Sequence, residues 1–132
     1  MPYIDATCIK GQKNIFSSTI EITEDNGVSF VPFDLNAYSV RFRVLGAPTA
    51  DAKTLIEKII TQNTDIEVIG QIDNPSNGSF TFTITKDDTD ILGLGKFPIK
   101  LDLLDAASGS EIYSLTLGDE RSEFNAIRVV QV

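Results

Sequence analysis

Apolar and polar residues alternate in steps of two along most of this chain, and that period predicts β-strands. The clearest run is Tyr38–Val44, where Tyr38, Val40, Phe42 and Val44 face one way and Ser39, Arg41 and Arg43 the other. Such a pattern describes a half-buried strand with one solvated face. Ser79–Ile84 repeats it, setting Phe80, Phe82 and Ile84 against Ser79, Thr81 and Thr83, behind the turn formers Asn74-Pro75-Ser76-Asn77-Gly78. In Phe97–Leu103, Phe97, Ile99, Leu101 and Leu103 point inward, with Lys96, Lys100 and Asp102 outward. Ala106-Ala107-Ser108-Gly109 reads as a hairpin loop leading to a return strand over Glu111–Leu117, and Phe124–Val132 as a final strand. Near the start, Asn14–Ile22 places Phe16, Ile20 and Ile22 on one parity before the turn signal Asp25-Asn26-Gly27.

Two segments break the period. Thr49–Ile60 sets Ala52, Leu55, Ile56, Ile59 and Ile60 at helical spacing behind a Thr49 cap. The same residues are rich in Ile and Thr, and also read as a strand over Leu55–Thr61 pairing with Asp65–Ile72. The strand is favoured because everything around it is β. Thr85-Lys86-Asp87-Asp88 matches a capping box without its preferred Glu, predicting a short helical turn over Lys86–Leu92 stopped by Gly93. The whole predicts an all-β fold, an antiparallel β-sandwich of seven to nine strands with one short helical turn. Residues 1–132 form a single domain in this reading, with residues 1–6 as a candidate N-terminal arm.

Composition narrows the chemistry. The 132 residues hold 19 acidic and 11 basic side chains, a net charge of −8, with no His, no Trp and one Cys. Without His there is no Ser-His-Asp triad, Cys-His dyad or His-ligated metal site. One Cys cannot close an intramolecular disulfide, and Cys8 is read as a small buried hydrophobe. The negative charge disfavours nucleic acid and anionic membranes as partners. Met1–Ala6 lacks the basic and apolar regions of a secretory signal. No apolar stretch approaches the roughly 18–20 residues that span a bilayer. The expectation is a protein kept in a reducing cytoplasm, or exported without a signal peptide.

Each candidate motif has a plainer reading. Asp87, Asp88 and Asp90 do not follow the calcium-loop order and suit a helix N-terminus. Leu92-Gly93-Leu94-Gly95-Lys96 lacks phosphate-loop spacing and reads as a helix stop before a strand. Asp102 with Asp105, or Glu111 with Asp119 and Glu120, would be glycosidase carboxylates only if one lay in an apolar pocket. Ser17 and Ser18 have no base partner in a hydrolase-like arrangement; Lys is the remaining base, with no pattern that supports it. Asn77-Gly78-Ser79 matches a glycosylation sequon but reads as a turn. No catalytic, cofactor-binding or metal residue is assigned, no cofactor is expected, and the chain is read as not an enzyme.

Phe33-Asp34-Leu35-Asn36-Ala37-Tyr38-Ser39-Val40-Arg41-Phe42-Arg43-Val44 resembles the D-L-x-x-Y-x-V-x-F-x-V strand of small Ig-like domains in tailed-phage virion proteins. These include the N-terminal domain of baseplate upper proteins. Gly78–Thr85, Asp87-Asp88-Thr89, Leu92–Gly95 and Phe97–Leu103 are similar to a second stretch of that family, and Ile9-Lys10-Gly11 to its opening. The resemblance spans residues 7–131. It implies an Ig-like sandwich acting as a non-enzymatic structural component of a bacteriophage virion: baseplate, tail, collar or capsid decoration. Its implied partners are other phage structural proteins and copies of itself in a symmetric assembly, with no nucleic acid and no membrane. The implied location is the virion, after synthesis in the host bacterial cytoplasm, and the net charge of −8 favours an outward-facing surface there. Met1–Asp5, the edge near Leu55–Ile72 and Phe124–Val132 are the candidate contact surfaces. The competing class is a carbohydrate- or receptor-binding module, for which Tyr3, Tyr38 and Tyr113 make a poor aromatic platform.

Overall fold

The computed structural model describes residues 5–22, 28–29, 31–47, 52–114 and 126–131. In chain order the strands are β1 (Asp5–Ile9), β2 (Asn14–Thr19), β3 (Glu21–Ile22), β4 (Val31–Pro32), β5 (Tyr38–Leu45) and β6 (Thr54–Ile60). They continue with β7 (Gly70–Asn74), β8 (Ser79–Ile84), β9 (Gly95–Asp105), β10 (Glu111–Ser114) and β11 (Ala126–Val130). The helical turn α1 is Lys86–Leu92, as its cap and stop predicted, and a 3₁₀ turn covers Pro75–Asn77.

The larger sheet runs β1-β11-β9-β5-β6, with β10 also paired to β9, and the smaller runs β2-β8-β7. β3 and β4 form a separate two-stranded ribbon. Among the described residues every ladder is antiparallel except β1–β11, which is parallel. The β9 and β5 pair, flanked by β11 and extended by β6, reproduces the G-F-C sheet of an immunoglobulin-like sandwich with one strand added beyond C. The fold is an Ig-like antiparallel β-sandwich. The eleven strand segments among the described residues exceed seven to nine because strand positions are interrupted. The strand is interrupted at Ile20, whose N–H goes to Gly78 O, and β10 and β11 succeed one another along β9.

The strands bury the parity that the sequence marked. Val40, Phe42 and Val44 lie opposite Leu103, Leu101 and Ile99, all buried. Phe82 of β8 closes the core from the other sheet, stacking on Phe42 at 4.7 Å and on Phe16 at 5.2 Å. Burying such aromatic pairs is the main driving force for sheet-on-sheet packing.

Several expectations are corrected. Leu55–Ile60 is strand, but it pairs with β5 and not with Asp65–Ile72. There Asp65 O gathers the N–H groups of Val68, Ile69 and Gly70 into a turn. Gly70 then carries the chain to the smaller sheet at φ +117, where a Cβ would lie 2.2 Å from Thr81 O. Asp5 and Ala6, assigned to an arm, are strand residues paired with Ala126 and Ile127. Two strands stand only as far as they are described, Glu111–Ser114 and Ala126–Val130; their expected bounds at Leu117, Phe124 and Val132 lie outside the described residues. The Asp25–Gly27 turn and the Thr49 cap lie outside the described residues.

Candidate functional site

Cross-strand register assembles the charged side chains of the larger sheet. Arg41 lies opposite Asp102 on one side and Ile59 on the other; Arg43 lies opposite Lys100 and Glu57. Directly opposed residues share a face, so these groups meet on the outer surface of β6, β5 and β9. Asp102 sits among them with no exposed side-chain surface. Its Oδ2 accepts from Arg41 Nε at 2.9 Å, Arg41 Nη2 at 2.7 Å and Arg43 Nη2 at 2.6 Å. Its Oδ1 accepts from Lys100 Nζ at 2.8 Å, and Arg41 Nη2 also donates to Glu111 Oε1 at 2.7 Å.

The sequence placed Asp102 on a solvated face. It is instead dry, because three long cations converge on it and their stems close over it. Burial pushes its pKa up, but hydrogen bonds from Lys100 and Arg41 and the charges of Lys100 and Arg43 outweigh that and hold it at about 2. Desolvation lowers the Arg41 pKa; the hydrogen bond and charge of Asp102, with Glu111 and Glu57, raise it overall. A general acid must hold a proton near neutral pH. Asp102 does not, and both its oxygens are engaged. Asp105, its suggested partner, spends Oδ1 on the N–H groups of Ala107 and Ser108 in the hairpin turn. Glu111 is committed to Arg41, and Asp119 and Glu120 lie outside the described residues.

A second ionic site escaped the sequence reading. Lys58 points inward from β6, between Ile56 and Ile60, and is nearly buried. Its Nζ donates to Val68 O at 2.6 Å, Thr83 O at 2.5 Å and Asp88 Oδ2 at 2.5 Å. The same Asp88 Oδ2 accepts from Thr85 N at 2.9 Å, while Thr85 Oγ1 accepts from Asp88 N at 3.1 Å. That capping box starts α1. The available signal was a lysine on the apolar parity of an alternating segment.

The other sequence candidates fall where the plainer readings put them. Asp87 and Asp88 occupy the first turn of α1, and Asp88 is turned toward Lys58. Gly93 ends the helix with its N–H on Thr89 O. Cys8 is fully buried, and burial, helped by the charge of Asp88, pushes its thiol up to about 11. A thiol of that pKa is a poor nucleophile. Ser17 and Ser18 lie on β2 opposite Thr81 and Phe80. Asn77 ends the 3₁₀ turn, and Gly78 caps it at φ 70.

Of the expected contact surfaces, Phe124–Val132 is corrected most. Its strand β11 is paired on both sides, so it offers no edge. Leu55–Ile72 is two edges of different sheets, β6 and β7. Residues 1–4 lie outside the described set, and Asp5 belongs to the edge strand β1. Beside the β3–β4 ribbon, Ile22, Pro32, Phe33, Asp34, Asn36, Ala37 and Tyr38 line an open hollow of about 400 Å³. The rings of Phe33 and Tyr38 are 5.3 Å apart there.

No protein-family model and no curated protein matches the chain. Among solved structures, the chain is similar to the NK cell receptor NKp44 at 14% identity and a TM-score of 0.48, covering 100% of both chains. The ZIG-8 Ig1 homodimer matches at 8% identity and 0.41, over 98% of this chain and 81% of that one. The ZIG-8–RIG-5 Ig1–Ig1 heterodimer matches at 8% and 0.40, over 98% and 83%.

Proposed function

We propose that this chain is a non-enzymatic structural component of a bacteriophage virion, working through protein–protein assembly. The observation that carries the assembly reading is the pair of open edges on the larger sheet. Among the described residues β6 has no neighbouring strand beyond it, and Glu57 and Ile59 are exposed along it. Among the described residues β1 is open at the other end. Unpaired strand edges are templates for association. The virion reading rests on the sequence resemblance of Phe33–Val44 and Gly78–Leu103. The net charge of −8 favours an outward-facing surface over contact with packaged DNA. Mass spectrometry of purified particles from cells that make this chain tests the proposal. Stoichiometric incorporation is expected; absence from the particles would overturn it.

The hollow lined by Phe33, Tyr38, Asp34 and Asn36 favours a second reading, a carbohydrate- or receptor-binding module. An aromatic pair beside a carboxylate and an amide is the chemistry that such ligands need. Titration calorimetry with oligosaccharides decides it: binding lost on Tyr38→Ala supports this reading, and silence across the panel removes it.

A further inference from the structure

We propose that β1 exchanges between copies of this chain, docking on β11 of a neighbour in place of its own. The inference rests on the assembly reading and names the element that performs it. Among the described residues β1 is an edge strand held by one partner, in register from Asp5↔Ala126 to Ile9↔Val130. Its buried anchors, Ala6 and Cys8, are the two smallest side chains of the core cluster. The opposite edge, β6, is anchored by Ile56 and Ile60. β1 therefore sacrifices the least apolar contact on leaving, and elements of that kind open first.

The link to β2 suits a hinge. Lys10, Gly11, Gln12 and Lys13 are all exposed, and they cross from the larger sheet to the smaller. Gly11 sits at φ +86 with open space around it. Three hydrogen bonds fold the link back: Lys10 N to Val130 O, Gly11 N to Thr89 Oγ1 and Gln12 N to Ile9 O. Extended, four residues reach about 14 Å, enough to carry β1 off its own sheet. In a second copy β1 meets the same Ala126–Val130 edge, so it regains the contacts it gave up and only the link changes. The fitting partner is thus a second copy of this chain.

Cross-linking reads the exchange directly. Thr7 and Arg128 are register partners with exposed side chains. Adjacent strands lie about 4.8 Å apart, within disulfide reach. In the full chain with Cys8→Ala, Thr7→Cys and Arg128→Cys are oxidised and run on a non-reducing gel, with light scattering on the same sample. Covalent dimers from the multimeric fraction are expected. Multimers that yield only covalent monomers would overturn exchange while leaving assembly standing; a sample without multimers overturns exchange, and particle incorporation still judges assembly by itself. Deleting Gln12 and Lys13 covers the case of a variant that does not fold. The shortened link no longer turns β1 back onto its own sheet but still reaches a neighbour's, so monomers shift to multimers; an unchanged distribution counts against the proposal.

Discussion

The two ionic sites put opposite charges at the centre of their networks. At Asp102 one carboxylate receives three cations from the two adjacent strands β5 and β9. At Lys58 one ammonium is shared by a loop carbonyl, a β8 carbonyl and an α1 carboxylate. The first is a cross-strand cluster on one sheet face; the second joins the larger sheet to the smaller one and to the helix. Removing the hub at Asp102 leaves like charges facing each other. Removing it at Lys58 leaves two carbonyls and a single carboxylate, Asp88, which keeps the N–H of Thr85, so one charge is left uncompensated where the other site leaves three.

That difference sets the expected order of effects. Asp102→Asn strands Arg41, Arg43 and Lys100 around a neutral amide and is expected to cost about 3–5 kcal/mol in urea denaturation. Lys58→Met leaves Val68 O and Thr83 O without their donor and the Asp88 carboxylate without its cation, and is expected to cost about 2–3 kcal/mol, since Asp88 keeps the Thr85 N–H. If Lys58→Met proves the costlier, the ranking of the two sites is wrong. Acid titration isolates the first site. The folded pKa of Asp102, about 2, lies below its ordinary value, so its stabilisation is complete above pH 4 and is lost as pH falls toward 2. About 2 kcal/mol is expected to disappear across that window, and the Asp102→Asn variant to show a flatter profile. Within the cluster, Arg41→Lys loses bonds from Nε and Nη2 to Asp102 and from Nη2 to Glu111, whereas the buried Arg43 Nε has no partner to lose. Thermal unfolding is therefore expected to show Arg41→Lys less stable than Arg43→Lys by about 1 kcal/mol. The exposed Lys13–Glu67 pair is the baseline, with Lys13→Ala expected to change stability by less than about 0.5 kcal/mol.

Legibility followed the range of the interactions. Helix α1 was readable to the residue because Thr85, Asp88 and Gly93 act within a few positions of one another. The alternation of Tyr38–Val44 and Phe97–Leu103 also survived folding, since a strand with one buried face imposes period two locally. The polar face was less predictable. Thr81 and Thr83 are buried on a strand whose polar parity suggested water. Thr83 Oγ1 donates to Ile66 O at 2.5 Å because the turn at 65–69 folds back over the smaller sheet. For the candidate site, the sequence supplied Arg41, Arg43, Lys100 and Asp102 as separate outward residues; that they form one cluster depended on the β5–β9 register.

Alternation, turn chemistry and the lack of His by themselves determined a β-sandwich with one capped helical turn and no His-dependent catalysis, because each follows from residue type or spacing along the chain. Tertiary structure alone decided that Leu55–Ile60 pairs with β5, that β11 is internal, and that Asp102 and Lys58 are buried. The reason is physical. Strand order and the desolvation of a charge depend on groups brought together from distant parts of the chain, and no local pattern encodes which distant group arrives.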